Sequence, residues 1–333
     1  MATITVSQLT LSEQMKQVGP DGMLMDVVNT LTEKNEILMD GIFQEANEAF
    51  SNLKVKVLSM SSPTARRIND GSSSGVVKTK RERELVQILE IRPNVDTLLL
   101  KGLDGAGAKE KARITQIINL TEKMAQSQAD AIIYGDNEDD PDEINGLTAR
   151  YNTLGTNIVG LGGTGSDTSS IWMVEWHPAR CFMIYPRSHA SVGIEHEDMG
   201  LQVIENSTSG RRYNAYEDVM SVAFGWNIID DTCIQRIANI ESTEGASDYN
   251  LMATAKINHL IGATNRLPGY GRNAVIYCNA AMKTQFDILG YNNIKNGGIT
   301  MSVDAFGQPV TLFQNRIPIR LVEALLPTET AIT

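Results

Sequence analysis

The 333-residue chain is 42% hydrophobic and 21% charged with a formal net charge of -11, an ordinary globular balance in a length that suits about two domains. No apolar run approaches the ~18 residues of a membrane span, and MATITVSQLTLSEQMKQ at the start lacks the basic region and apolar stretch of a secretory signal. Net acidity argues against a coat along nucleic acid, where Lys and Arg must replace counterions on phosphates.

The charge is unevenly spread. Residues 1–53 hold 2 basic and 8 acidic groups, residues 54–113 hold 13 basic and 7 acidic, and residues 114–333 carry the other -11. One basic segment in an acidic chain points to an acidic partner, a second copy of the chain included.

Residues 1–53 read as an arm. MDVVNTLTEKNEILMDGIFQEANEAF (25–50) places Leu31, Ile37, Leu38, Ile42, Ala46 and Phe50 at mixed helical spacings around Gly41, which predicts a helix in two pieces. Residues 54–100 read as a long hairpin. KVKVLSM alternates as a strand, SSPTARRINDGSSSGVVKTK makes a solvated tip, ELVQILEI returns, and RPNVDTLLLKG leads out. A loop of this length inside a compact domain is functional or ordered by a partner.

The clearest helix lies in 109–133. Ile114, Ile117, Ile118, Thr121, Ala125, Gln128 and Ile132 follow a 3.6-residue period between GLDGAG and Gly135. YGDNEDDPDEINGL follows, with six acidic and no basic groups in 136–143. After a Gly/Thr/Ser-rich surface stretch, IWMVEWHP, CFMIYP, LQVIEN and RRYNAYEDVMSVAFGWNII read as strands; 186–215 suggests a second projecting hairpin. ASDYNLMATAKINHLIGAT and AAMKTQFDIL read as helices, and NAVIYCN, QPVTLFQ and IPIRLVEALL as strands.

Chemical motifs fail on context. GLGGTG (160–165) is a literal G-x-G-x-x-G, but SDTSSIWMVEW offers no helix N-terminus for a pyrophosphate. GSSSG (71–75) puts Ser73 at a nucleophile position without the buried strand and helix of an elbow. GLDGAGAK (102–109) lacks the Gly-Lys-Ser/Thr of a phosphate loop. His177, His189 and His196 near Cys181 match no zinc spacing, and Cys181, Cys233 and Cys278 lie far apart, as in reduced, buried thiols. Asp230-Asp231 reads as a turn or an ion pair. No catalytic, cofactor-binding or metal residues are assigned.

The order of segments, with the phrases TSSIWMVEWHP, MIYP, GWNIIDDTCIQRIANI, NRLPGYGRNAVIYCNAAMK and IPIRLVEALLPTE, resembles tailed-bacteriophage major capsid proteins of the podovirus type from about residue 35 to 328. The resemblance implies an α+β tailed-phage capsid protein fold. Its parts are an N-terminal arm (1–53), an extended β-hairpin loop (54–100), the spine helix of a peripheral domain (101–133), and a β-rich remainder of peripheral plus axial domain (134–333). It implies a non-enzymatic shell around a double-stranded DNA genome, built from hexamers and pentamers of the chain. It also implies a portal protein, a cement or decoration protein, and a separate scaffolding protein, since the chain starts almost at the arm. Packaged DNA is held without sequence-specific binding, no membrane is involved, and the protein occupies the host cytoplasm before the virion. Two alternatives stay open: the shell protein of a bacterial protein compartment with the same fold, and an enzyme with an unrecognised site. Candidate inter-subunit contacts are Arg66, Arg67, Lys78, Lys80, Arg81 and Arg83, at or near the hairpin tip, facing Asp136, Glu138, Asp139, Asp140, Asp142 and Glu143.

Overall fold

The structure, a computed structural model, describes residues 33–103, 107–187, 193–205, 210–242, 249–252, 256–292, 298–303 and 309–333. Its elements in chain order are α1 (Ile37–Asp40), β1 (Phe43–Glu45), β2 (Ser51–Met60), β3 (Val77–Leu85), β4 (Gln87–Ile91), β5 (Asn94–Asp96), α2 (Thr97–Lys101), α3 (Ala108–Tyr134), α4 (Leu147–Arg150) and β6 (Ile158–Gly160). Then come β7 (Thr168–Glu175), β8 (Cys181–Tyr185), β9 (Glu195–Glu205), β10 (Arg212–Ile228), β11 (Ile234–Glu241), α5 (Asn258–Arg266), β12 (Ala274–Cys278), α6 (Ala280–Asn292), β13 (Ile299–Val303), β14 (Pro309–Phe313) and β15 (Ile317–Leu321). Residues 88–128 and 191–223 belong to one unit, and 34–87, 129–190 and 224–333 to a larger one.

In the larger unit seven strands form one sheet in the order β13-β14-β15-β12-β7-β11-β6. β7 and β12 are buried along their whole length; AVIYC of β12 is a continuous apolar run, while β7 buries Thr168, Ser169, Ser170 and Glu175 beside its apolar IWMV. Ile171, Met173, Ile237 and Ile276 on this sheet join Leu260 of α5 and Phe286 of α6 in one core. Each such side chain contributes about 1.5–3 kcal/mol on burial. A smaller patch gathers Ala46, Phe182 and Ile184, where β1 runs parallel to β8 and β8 antiparallel to the end of β10.

In the other unit β9 and β10 make a hairpin from Arg212↔Glu205 to Ser221↔Glu195, so the hairpin expected over 186–215 has its paired strands at 195–205 and 212–221. β5 pairs with β10 through Val95↔Tyr216. The first part of α3 lies on this hairpin: Arg113 stacks 4.9 Å from the Tyr216 ring and Thr121 donates to Met220 Sδ. The apolar cluster here is thin, with Val95, Leu100, Leu103 and Ala112.

Several expectations need correction. The described part of the arm is not a two-piece helix. One turn (α1) ends at Gly41, and Phe43–Glu45 extends as a strand on β8. A Cβ on Gly41 would lie 3.0 Å from Met183 Sδ, so close approach to the sheet outweighs helical spacing there; residues 25–32 lie outside the described residues. The hairpin returns through the charged VKTKREREL of β3, not through ELVQILEI. The spine helix spans 108–134, and 101 ends the separate α2. Its Ile114 and Ile118 are exposed, while Met124, Ala129 and Ile132 are buried.

Candidate assembly interface

Among the described residues β2 and β3 pair only with each other. A two-stranded ribbon in water is marginal at best, and this one is inverted. Register pairs Lys54↔Glu82 and Lys56↔Lys80 on one face, and Val55↔Arg81 and Val57↔Thr79 on the other. The charged face is the one buried at the root of the ribbon. Lys54 is 4% exposed, its Nζ donating to Glu84 and to the Ile228 carbonyl. Arg150 of α4 donates to Glu84 Oε1 at 2.8 Å. Lys56 lies 3.4 Å from Glu82 and 3.0 Å from Asp231. Burial pushes the Glu84 carboxyl up, but Arg150 and Lys54 outweigh it and hold it below the usual range. Burial lowers Lys54, with Glu84 offsetting only part. The opposite face turns Val55 (54%) and Val57 (58%) to solvent with Met60 and Val77.

The basic candidates fall into two places. Arg66 and Arg67 are exposed in the tip, where Arg66 donates to the Asp70 carbonyl. Lys78, Lys80, Arg81 and Arg83 lie along β3, Lys78 at the end next to the tip. Lys80 pairs with Glu82 at 3.1 Å and Arg83 with Glu48 at 3.0 Å, whereas Arg81 is exposed and has no ion pair among the described residues.

The acidic candidates form a turn after α3. Asp136 Oδ1 accepts from the Glu138 N–H at 2.9 Å, Asp140 Oδ1 from Asp142 at 3.0 Å, and Glu143 Oε2 from Asp136 at 3.2 Å. Three of the six carboxylates thus fold their own loop, as Asx turns do. Glu138, Asp139, Asp140 and Asp142 are exposed. Among the described residues no ion pair joins the basic set to this one.

Sequence reasoning missed the residues that anchor the ribbon, Lys54, Glu84 and Arg150. It also missed a second polar pin. Arg236 Nη2 lies 3.1 Å from Glu329 Oε2, Tyr134 donates to Glu329 Oε1 at 2.7 Å, and Ser170 also donates to Glu329. Arg236 stacks 4.8 Å from the Trp172 ring and donates to the Tyr151 carbonyl at 2.6 Å. Burial lowers the Arg236 pKa and Glu329 offsets part of that. The cluster ties the C-terminal segment to β7 and β11.

The other motifs resolve into structure. In GLGGTG the Gly163 N–H donates to the Asn239 carbonyl at 3.0 Å, and a Cβ there would lie 2.7 Å from that oxygen. The glycine admits a strand, and β7 rather than a helix follows. Ser73 of GSSSG is exposed in the ribbon tip; residues 104–106 of GLDGAGAK lie outside the described residues. His177 Nδ1 accepts from the Ala179 N–H at 3.0 Å, His196 Nε2 lies 3.0 Å from Asp218, and His189 is outside the described residues. Among the described residues no three His, Cys, Asp or Glu could hold a metal. Asp230 caps a 3-10 turn through the Thr232 N–H, and Asp231 pairs with Lys56. Cys181, Cys233 and Cys278 are buried, and burial pushes Cys233 and Cys278 up to about 12.

The family model of major capsid protein GP7 matches residues 19–333. A chain of the bacteriophage Epsilon15 structure is similar over 100% of both chains, with a TM-score of 0.70 and 21% identity. Looser likeness extends to the SrpI encapsulin complex of Synechococcus elongatus PCC 7942 (TM-score 0.46, 11% identity, 67% of this chain and 93% of that one). The capsid of Myoviridae phage XM1 is comparable (0.43, 11%, 70% and 99%). No curated protein matches. The α+β fold is that of tailed-phage capsid proteins. The chain belongs to the major capsid protein GP7 family, as a self-associating structural protein of the virion shell and not an enzyme.

Proposed function

We propose that the chain assembles as hexamers and pentamers into the icosahedral shell around a double-stranded DNA genome. The observation that carries this reading is the β2–β3 ribbon. Among the described residues it has no third strand, it buries Lys54 and Glu84 at its root, and it exposes Val55 and Val57. Ordering each residue costs roughly 1–2 kcal/mol, and a neighbouring subunit supplies the missing contacts. In this reading 1–53 is the arm, the hairpin of 54–100 the extended loop, α3 the spine of the peripheral domain, and the rest of the chain the remaining peripheral and axial parts. A separate scaffolding protein, a portal protein and a decoration protein act with it, starting in the host cytoplasm. The acidic chain repels the packaged DNA and does not bind it sequence-specifically.

Electron microscopy of the chain assembled with and without a scaffold tests this. Closed shells of hexamers and pentamers that take up DNA are expected. Stable monomers under every assembly condition, or shells filled only with protein, contradict it.

A further inference from the structure

We propose that Asp70 and Gly71, at the tip of the β2–β3 ribbon, form a site of spontaneous covalent modification at which aspartate rearranges to isoaspartate through a cyclic imide. The reaction belongs to the single chain and does not depend on the shell-forming reading.

The sequence places Asp before Gly at 21–22, 40–41, 70–71 and 104–105, and Asn before Gly at 145–146 and 296–297. In such pairs the glycine nitrogen reaches the preceding side-chain carbonyl carbon most freely, because no Cβ obstructs it. Of the six, 40–41, 70–71 and 145–146 lie among the described residues, and the fold treats them differently. At 40–41 the carboxylate is engaged: Asp40 Oδ2 accepts from the Tyr277 hydroxyl at 3.2 Å and lies 3.5 Å from Arg320 Nε. Gly41 is packed as well, since a Cβ there would lie 3.0 Å from Met183 Sδ. At 145–146 the nitrogen is engaged, the Gly146 N–H donating to the Gly135 carbonyl at 2.8 Å.

Neither restraint holds at 70–71. Residues 61–76 are exposed and lie in no strand, and a Cβ on Gly71 would meet nothing within 4 Å. The Gly71 N–H donates to Asp70 Oδ1 at 2.8 Å, so nitrogen and carboxyl group are held side by side. That proximity makes an intramolecular attack effective, and a loop tip is where the backbone is least restrained from turning into it.

In the first step the Gly71 nitrogen bonds to Asp70 Cγ; its proton and the carboxyl hydroxyl leave together as water, which closes the imide. Water then adds to one of the two ring carbonyls, and that C–N bond breaks as the nitrogen recovers a proton. Opening at Cγ restores aspartate. Opening at the Asp70 backbone carbonyl leaves isoaspartate, with the main chain routed through Cβ and Cγ and a free carboxylate on Cα. Arg66 favours the second outcome. Its Nε donates to that backbone carbonyl oxygen, where it stabilises the charge that develops as water adds, and it then faces the new carboxylate.

The test keeps the full-length chain unassembled in warm neutral buffer and samples it over weeks. Electron-transfer fragmentation of its peptides separates isoaspartate from aspartate of the same mass. Isoaspartate should accumulate at 70 at least about tenfold faster than at 40, and the two rates should converge in urea. Gly71→Val, at a position where an added Cβ meets nothing, should suppress the reaction at 70 alone. Incubation in heavy-oxygen water labels every opened ring, so labelled isoaspartate against labelled aspartate reads the direction of opening; Arg66→Gln should lower that ratio about threefold. Absence of isoaspartate at 70, or equal rates at 40 and 70 in the folded chain, overturns the proposal. So does a difference that persists unchanged in urea, which would place its cause in the sequence and not in the fold. An unchanged ratio in Arg66→Gln removes Arg66 from the mechanism.

Discussion

Glu329 and Glu84 are both buried carboxylates held by an arginine, yet they sit under opposite kinds of surface. Around Glu329 the sheet is closed. β7 is buried end to end, its core side faces α5 and α6, and the polar pin fastens the last segment of the chain. Around Glu84 the pin is the floor of a ribbon whose other face exposes Val55, Val57, Met60 and Val77. The first region is finished within one chain, whereas the second is anchored at its root and left apolar on top. The difference teaches where fold stability ends and assembly begins: the same ionic device serves both, and the fate of the facing aliphatic side chains separates them.

The largest effect should come from the closed region. Glu329→Ala leaves Arg236 buried without its counter-ion, which costs about 3–5 kcal/mol; chemical denaturation of the isolated chain checks this. A loss below about 1 kcal/mol would mean that water reaches the pin and that the two regions are alike. Gly163→Ala comes next. Its Cβ would meet the Asn239 carbonyl at 2.7 Å, so β11 must give way at about 1–3 kcal/mol. Thermal unfolding reads that shift, and nicotinamide binding should be nil before and after.

On the ribbon the order reverses. Val55→Ser with Val57→Ser should leave the stability of the isolated chain within about 0.5 kcal/mol, while light scattering shows a higher assembly threshold. An equal loss in the isolated chain would place these valines in an intramolecular core.

The smallest effect concerns Asp40, which pairs with Arg320 at 3.5 Å and accepts from Tyr277 at 3.2 Å. Burial raises its pKa, and Arg320 and Tyr277 offset only part. A raised folded-state pKa gives stability that is full below the unfolded value of 3.8 and lost as pH rises through the folded one. Asp40→Asn should therefore be neutral to slightly stabilising at pH 7, with its advantage vanishing in acid. A variant that loses stability only at neutral pH would reverse that sign.

Much of this architecture is written locally. KVKVLSM alternates and folds as β2, and NAVIYCN and the 109–133 periodicity fall within a residue or two of β12 and α3. β3 was illegible because Lys78, Lys80, Glu82 and Glu84 occupy the face that becomes partly buried, so charge hid a strand. IQRIANIE escaped as β11 for the same reason: Arg236 and Asn239 look like surface residues until Glu329 and Ile332 arrive from the far end of the chain. Periodicity placed Ile114 and Ile118 on the core stripe of α3, but it cannot say which apolar side chains a thin core covers. The acidic turn 136–143 reads as a docking surface in composition, and geometry adds that Asp136, Asp140 and Glu143 accept from its own backbone while Glu138, Asp139 and Asp142 stay exposed.

Hydrogen exchange of the amides of residues 55–81 in dissociated and in assembled protein tests the central claim most directly. The ribbon should exchange quickly in the free chain and become protected in the shell, while β7 and β12 stay protected in both. Equal protection of 55–81 in the two states would contradict the claim that neighbouring subunits complete this ribbon.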